Sequence, residues 1–260
     1  MEKIINQILD FPKMINEKIP RNNFNELMNN SEGSIASWTS LIYKIASLVI
    51  LLSLLITILS GGIQYISEAD GVGKFASILS MLVLVYVAFP IAQVVRSAGD
   101  ALENSKSGIV EFLFKDFVTT NIKAIGHISA LVALFTAINL TLSFIFDANL
   151  FNDLNTDFTD HVMGLYSLPI EAISELFRMV GLDTLGGLLQ SFIDLNLSSI
   201  QNFGDGHSWL GLHDVASSFI NVIIVLAQLY VTLAVYHFLY GLLSTLFNWI
   251  KSPSIPIKMS

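Results

Sequence analysis

The chain has 260 residues, 53% of them hydrophobic and 13% charged, and its mean hydropathy is +0.65. An average soluble domain carries about 25% charged residues, so a water-soluble fold cannot cover this much apolar side chain. A formal net charge of −8 with singly scattered basic residues argues against a nucleic-acid partner, and the absence of cysteine excludes disulfides, thiolate metal sites and thiol redox chemistry.

The first 40 residues of the N-terminal segment 1–44 mix polar and apolar side chains without the basic start, apolar stretch and small-residue cleavage site of a signal peptide, so none is expected. Ile4, Ile5, Ile8, Leu9 and Phe11, then Met14 and Ile15, then Phe24, Leu27 and Met28 recur at helical spacing, separated by Pro12 and Pro20. Such spacing predicts short amphipathic helices lying on a membrane surface or against another subunit.

Membrane spans are read from stretches free of Asp, Glu, Lys and Arg, because a charge at the bilayer centre costs about 2.5–3.5 kcal/mol even on the mildest scale. Four stretches suffice: Ile45 to Ser67, Phe75 to Val95, Ala124 to Phe146 and Val215 to Ile250, or 23, 21, 23 and 36 residues. About 20 residues cross the hydrocarbon. Residues 45–146 therefore hold three spans, 215–250 a long fourth, and 251–260 a tail in which Pro253 and Pro256 favour an extended arm. The fourth stretch would reach about 54 Å as one helix, and with Gly241 its only interior glycine it is expected to run unbroken past the membrane. Pro90 is expected to kink the second span.

Lys and Arg test this division. Eleven of them fall before the first span, between the second and third, and after the fourth, whereas only Lys74 and Arg178 fall on the other side. Cytoplasmic segments are enriched in basic residues, so both termini are expected in the cytoplasm, the host membrane being a bacterial inner membrane or a viral membrane.

The 68 residues 147–214 are expected outside, with ten acidic residues and one Arg. Ile170, Ile173, Phe177 and Val180, an interruption at Gly181 and Asp183, then Leu185, Leu188, Leu189, Phe192 and Ile193 predict an amphipathic helical hairpin. The fold class expected is thus an all-α integral membrane protein with about four transmembrane helices, amphipathic N-terminal helices and an extracytoplasmic hairpin.

Polar and small residues within the spans read as packing features. Ser129, Ala133 and Ala137 recur every four residues beside Gly126 and Ala130, a ridge that lets helices approach closely. On the fourth span Asn221, Gln228, Thr232 and Tyr236 fall near one face, either an interface or the wall of a pore. His127 and His237 have no carboxylate within any span to relay protons with, which argues against an ion-coupled transporter. Asp153, Asn155 and Asp157 begin like a calcium loop, but Phe158 and Gly164 stand where its glycine and glutamate belong. Asp205, His207, His213 and Asp214 lack the spacing of a zinc helix. No catalytic residue, metal or cofactor is therefore expected.

Ile45 to Ala101 form two apolar helices around a short polar turn, with Gly61, Gly62, Ile63, Tyr65 and Ile66 before it and Gly71 to Lys74 after it. This stretch resembles the two-helix membrane hairpin of small conjugation and type IV secretion proteins. The resemblance implies a multi-pass inner-membrane subunit of such an apparatus, and amphipathic segments on both sides without a site suit a non-enzymatic subunit whose partners are lipid and other membrane subunits or further copies of itself. Two more spans and the long outer segment depart from that family. The other functions open to the sequence are a virion membrane protein joining lipid to a protein shell through the tail, and an oligomeric channel or passive transporter.

Overall fold

The computed structural model describes residues 24–150, 171, 174–175, 177–179, 181–193 and 207–251. Among them the chain is all-helical and contains four helices long and apolar enough to cross a membrane. They are α1 (Phe24–Glu68), α2 (Gly71–Glu103), α3 (Ile109–Phe146) and α5 (Trp209–Lys251), with the short α4 (Asp183–Ile193) between the last two. The protein is a multi-pass membrane protein.

Every long helix outruns its charge-free stretch, because a charge marks where water begins, not where backbone hydrogen bonding ends. The division expected at Lys44 is not a helix boundary: α1 starts by Phe24 and continues unbroken for 45 residues through Phe24, Leu27 and Met28. The amphipathic pattern before Phe24 and the tail beyond Lys251 lie outside the described residues. Likewise α3 begins at Ile109, well before Ala124. Its first turns contain a π-helical segment over Phe112–Phe117, a wider coil that buries Phe112. The fourth span runs as a single helix of 43 residues, about 64 Å long.

Helix ends are set by local chemistry. Only Ala69 and Asp70 separate α1 from α2, and Gly71 takes a positive φ of 55° there, a conformation that costs glycine little. Asp147 ends α3 in the left-handed region, and the Ser143 hydroxyl donates to the Ala148 carbonyl at 2.6 Å. In the segment after α3, helical backbone at Phe177–Met179 stops at Gly181, whose φ is +81°, and the Leu182 N–H reaches back to the Phe177 carbonyl. From there α4 folds back, so that the buried Ser174 hydroxyl donates to the Gly186 carbonyl at 2.7 Å.

The long helices pack in chain order, α1 on α2, α2 on α3 and α3 on α5, without a comparable interface between α1 and α5. They form an open row, not a closed ring around a lumen. The core of the row joins Val87, Ile91 and Val95 of α2 to Ile128, Val132 and Phe135 of α3, with Tyr43, Ile50 and Leu54 of α1 packed against it. At its edge α1 exposes Leu48, Leu52, Ile56 and Ile63, as a helix bordered by lipid does.

Candidate functional site

The small-residue ridge of α3 meets α5 at Gly126. Gly126 lies against Leu229 of α5, with Ile122 buried alongside and Val118, Ile125, Leu233 and Tyr236 packed around them. Ser129, Ala130 and Ala137 are buried, and Ala133 is half-buried. Absence of side-chain bulk on α3 is what lets the two backbones come this close.

Across that interface lies the polar face of α5. Asn221, Gln228 and Thr232 are buried, and the Thr232 hydroxyl is turned back onto the Gln228 carbonyl at 2.8 Å. Tyr236 closes the row by donating its hydroxyl to the Phe114 carbonyl within the π segment of α3. The π turn alters the α-helical i→i−4 pairing, so a side-chain donor at this point completes a main-chain acceptor. Within one protomer three of these four residues are buried and the fourth is bonded to α3.

A second polar layer, unforeseen in the sequence, joins α1, α2 and α3 near the α2–α3 turn. The Lys44 ammonium lies 2.5 Å from Glu103 Oε2 and 3.2 Å from Asp100 Oδ1, and the Ser40 hydroxyl donates to the same Glu103 oxygen at 3.2 Å. Next to Lys44, Tyr43 donates to Asn121 Oδ1 at 2.5 Å and sets its ring edge-on against Phe117. The turn itself is held by Asp116, whose Oδ2 accepts from Ser105 at 2.5 Å and Ser107 at 2.6 Å. These groups clamp the three helices where their charges meet the membrane boundary. The signal for it was present: a two-residue connection places Ser40 of α1 and Gly99 of α2 equally far from the turn, which puts Lys44 level with Val95 and its long side chain within reach of the acids one and two turns beyond Arg96.

Toward the opposite end, Ser80 donates to Asn139 Oδ1 at 2.5 Å, both residues being buried between α2 and α3. His207 places Nε2 3.2 Å from the Ile145 carbonyl and its ring beside Phe144, while His213 sits 3.6 Å from its neighbour Asp214. His127 bonds the Lys123 carbonyl at 2.6 Å through Nδ1. Asp205 and the run from Asp153 to Asp157 lie outside the described residues. Among the described residues no three His, Asp or Glu side chains gather as a metal site would require.

Among the described residues the arrangement is one of helix-to-helix clamps at two levels. Compared with protein-family models, with curated proteins and with solved structures, the chain finds no match.

Proposed function

We propose that the chain is a non-enzymatic, multi-pass subunit of a larger membrane-embedded assembly, such as a macromolecular export or conjugation apparatus, with the α2–α3 turn on the cytoplasmic side. The observation carrying this reading is the far end of α5. Tyr236 lies beside Phe114, next to Lys115, Asp116 and Glu111 of α3, and those charges lie beyond Lys123, where the charge-free stretch of α3 ends, and so outside the hydrocarbon. Beyond Tyr236, α5 continues to Lys251, about 22 Å further, and exposes Phe238, Leu242, Leu243, Leu246, Phe247 and Trp249. An apolar helix surface of that extent outside the bilayer is a surface for protein contact. The channel reading draws less support, because the face that would line a pore is buried against α3.

The test is affinity purification of the full chain from its own membranes in mild detergent. A partner, or a second copy, is expected in stoichiometric amount. The double substitution Leu242→Asp and Leu246→Asp is expected to release it while the thermal unfolding of the protomer stays unchanged. A wild-type chain that elutes as a lone protomer refutes the proposal.

A further inference from the structure

Between α1 and α2 an open groove of about 650 Å³ is lined only by residues of those two helices. Its walls combine apolar Leu48, Leu51 and Phe89 with polar Lys44, Gln93 and Arg96. Pro90 is in the same wall, and without an N–H it leaves the Tyr86 carbonyl, one turn back in the groove, without its usual helical donor.

The order of these residues along the membrane normal is informative. Lys44 immediately precedes the charge-free stretch of α1, and Arg96 immediately follows that of α2, so the mouth of the groove sits at the membrane–water boundary. Leu48, Leu51 and Phe89 lie deeper, and Leu48 and Phe89 are exposed to the lipid side. Lys44 uses two of its three N–H donors on Asp100 and Glu103, which stand one and two turns further toward water than Arg96. Arg96 forms no ion pair among the described residues, so its guanidinium is the cation left for a ligand.

A phosphate with an apolar tail fits this sequence of cation above hydrocarbon wall, and a headgroup that carries its own amine would oppose Arg96. Arg is also the side chain best shaped for two-point contact with phosphate. We infer that the groove binds one anionic phospholipid, its phosphate at Arg96 and the remaining Lys44 donor, and one acyl chain along Leu48, Leu51 and Phe89. The lipid would fill the wedge beside the proline and tie α1 to α2 at the level of the Lys44 clamp.

The experiment is native mass spectrometry of the full chain in mild detergent, titrated with phosphatidylglycerol or phosphatidylcholine. Phosphatidylglycerol is expected to give a tighter first adduct than phosphatidylcholine. Arg96→Gln is expected to weaken that adduct about fivefold, the effect of one basic residue at a lipid surface, while Arg96→Lys retains most of it. Lys106→Gln, which removes an exposed cation outside the groove, is expected to change nothing. Leu48→Trp, an exposed groove position, fills the groove and is expected to reduce the adduct with Arg96 intact. Equal binding of the two lipids, or an Arg96→Gln protein with undiminished phosphatidylglycerol adducts, overturns the inference. So does displacement of the lipid by inorganic phosphate, which would identify a free-anion site instead.

Discussion

Gly126 of α3 and Leu229 of α5 approach so closely that a methyl group on Gly126 would stand 2.5 Å from Leu229 Cδ1 and 3.1 Å from its Cβ. Rotating the Leu229 side chain moves the first atom but not the second, and Leu229 is fully buried. Gly126→Ala therefore forces the helices apart and is expected to cost about 1–3 kcal/mol. The check is the unfolding midpoint in detergent, and an unchanged midpoint would mean that the α3–α5 contact is looser than this.

Gly99 makes a stiffer contact. A methyl group there would lie 2.8 Å from Tyr43 Cβ and 3.1 Å from the Ser40 carbonyl oxygen, both fixed to the backbone of α1. Gly99→Ala is expected to lower the midpoint more than Gly126→Ala does, because no side-chain rotation relieves it. It also displaces Lys44 from Asp100 and Glu103. A midpoint lowered less than that of Gly126→Ala would contradict the close packing of α1 on α2.

These two glycines show what could and could not be read from the chain. Gly126 stood in a visible ridge of small residues, yet its partner Leu229 depends on how α5 is rotated, which an all-round apolar helix does not declare. Gly99 lies outside the charge-free stretch, where nothing in the sequence marks a helix contact. The four spans were legible because the cost of a charge in lipid writes itself into composition. The helix starts at Phe24 and Ile109 were not, since a helix can continue into water without any change that the charge count detects. The polar pairs between Lys44 and Glu103, Tyr43 and Asn121, and Ser80 and Asn139 required the register between helices. That register followed from the two-residue connection at Ala69 and Asp70 only for α1 and α2.

Asn139 supplies a third prediction. Its side-chain oxygen accepts from Ser80 inside the membrane row, and bonds of this kind between membrane helices are worth about 0.6 kcal/mol on average. Asn139→Leu is expected to cost about 1 kcal/mol, since Ser80 then loses this acceptor while buried. A double-mutant cycle with Ser80→Ala isolates the pair. Ser77, by contrast, has a buried hydroxyl without a hydrogen-bond partner among the described residues, so Ser77→Ala is expected to be neutral or slightly stabilising. Additive effects of Asn139→Leu and Ser80→Ala would show that the two do not interact.

Orientation is testable because the chain has no cysteine. Val72, at the α1–α2 turn, and Lys106, at the α2–α3 turn, are both exposed and lie at opposite ends of the row. With the basic end in the cytoplasm, a cysteine at position 72 is expected to react with an impermeant maleimide added to intact cells, and one at position 106 only after lysis. The reverse pattern would invert the topology, and labelling of both in intact cells would break the division into spans.

The polar face of α5 decides between an interface and a pore. Asn221, Gln228 and Thr232 are buried in the protomer, and Thr232 already donates to the Gln228 carbonyl. For these residues to line a lumen, α5 must leave α3, which surrenders the Gly126–Leu229 contact and the Tyr236 bond to Phe114 together. No new apolar burial offsets that loss, because lipid is as apolar as the side chains it would replace. Purified protein in planar bilayers is therefore expected to show no conductance above background. Gln228→Leu is expected to leave that baseline unchanged and to change only the stability, by about 1 kcal/mol, read from the unfolding midpoint. A wild-type current whose ion selectivity changes in Gln228→Leu would show that the face opens to water, and the chain would then belong among channels.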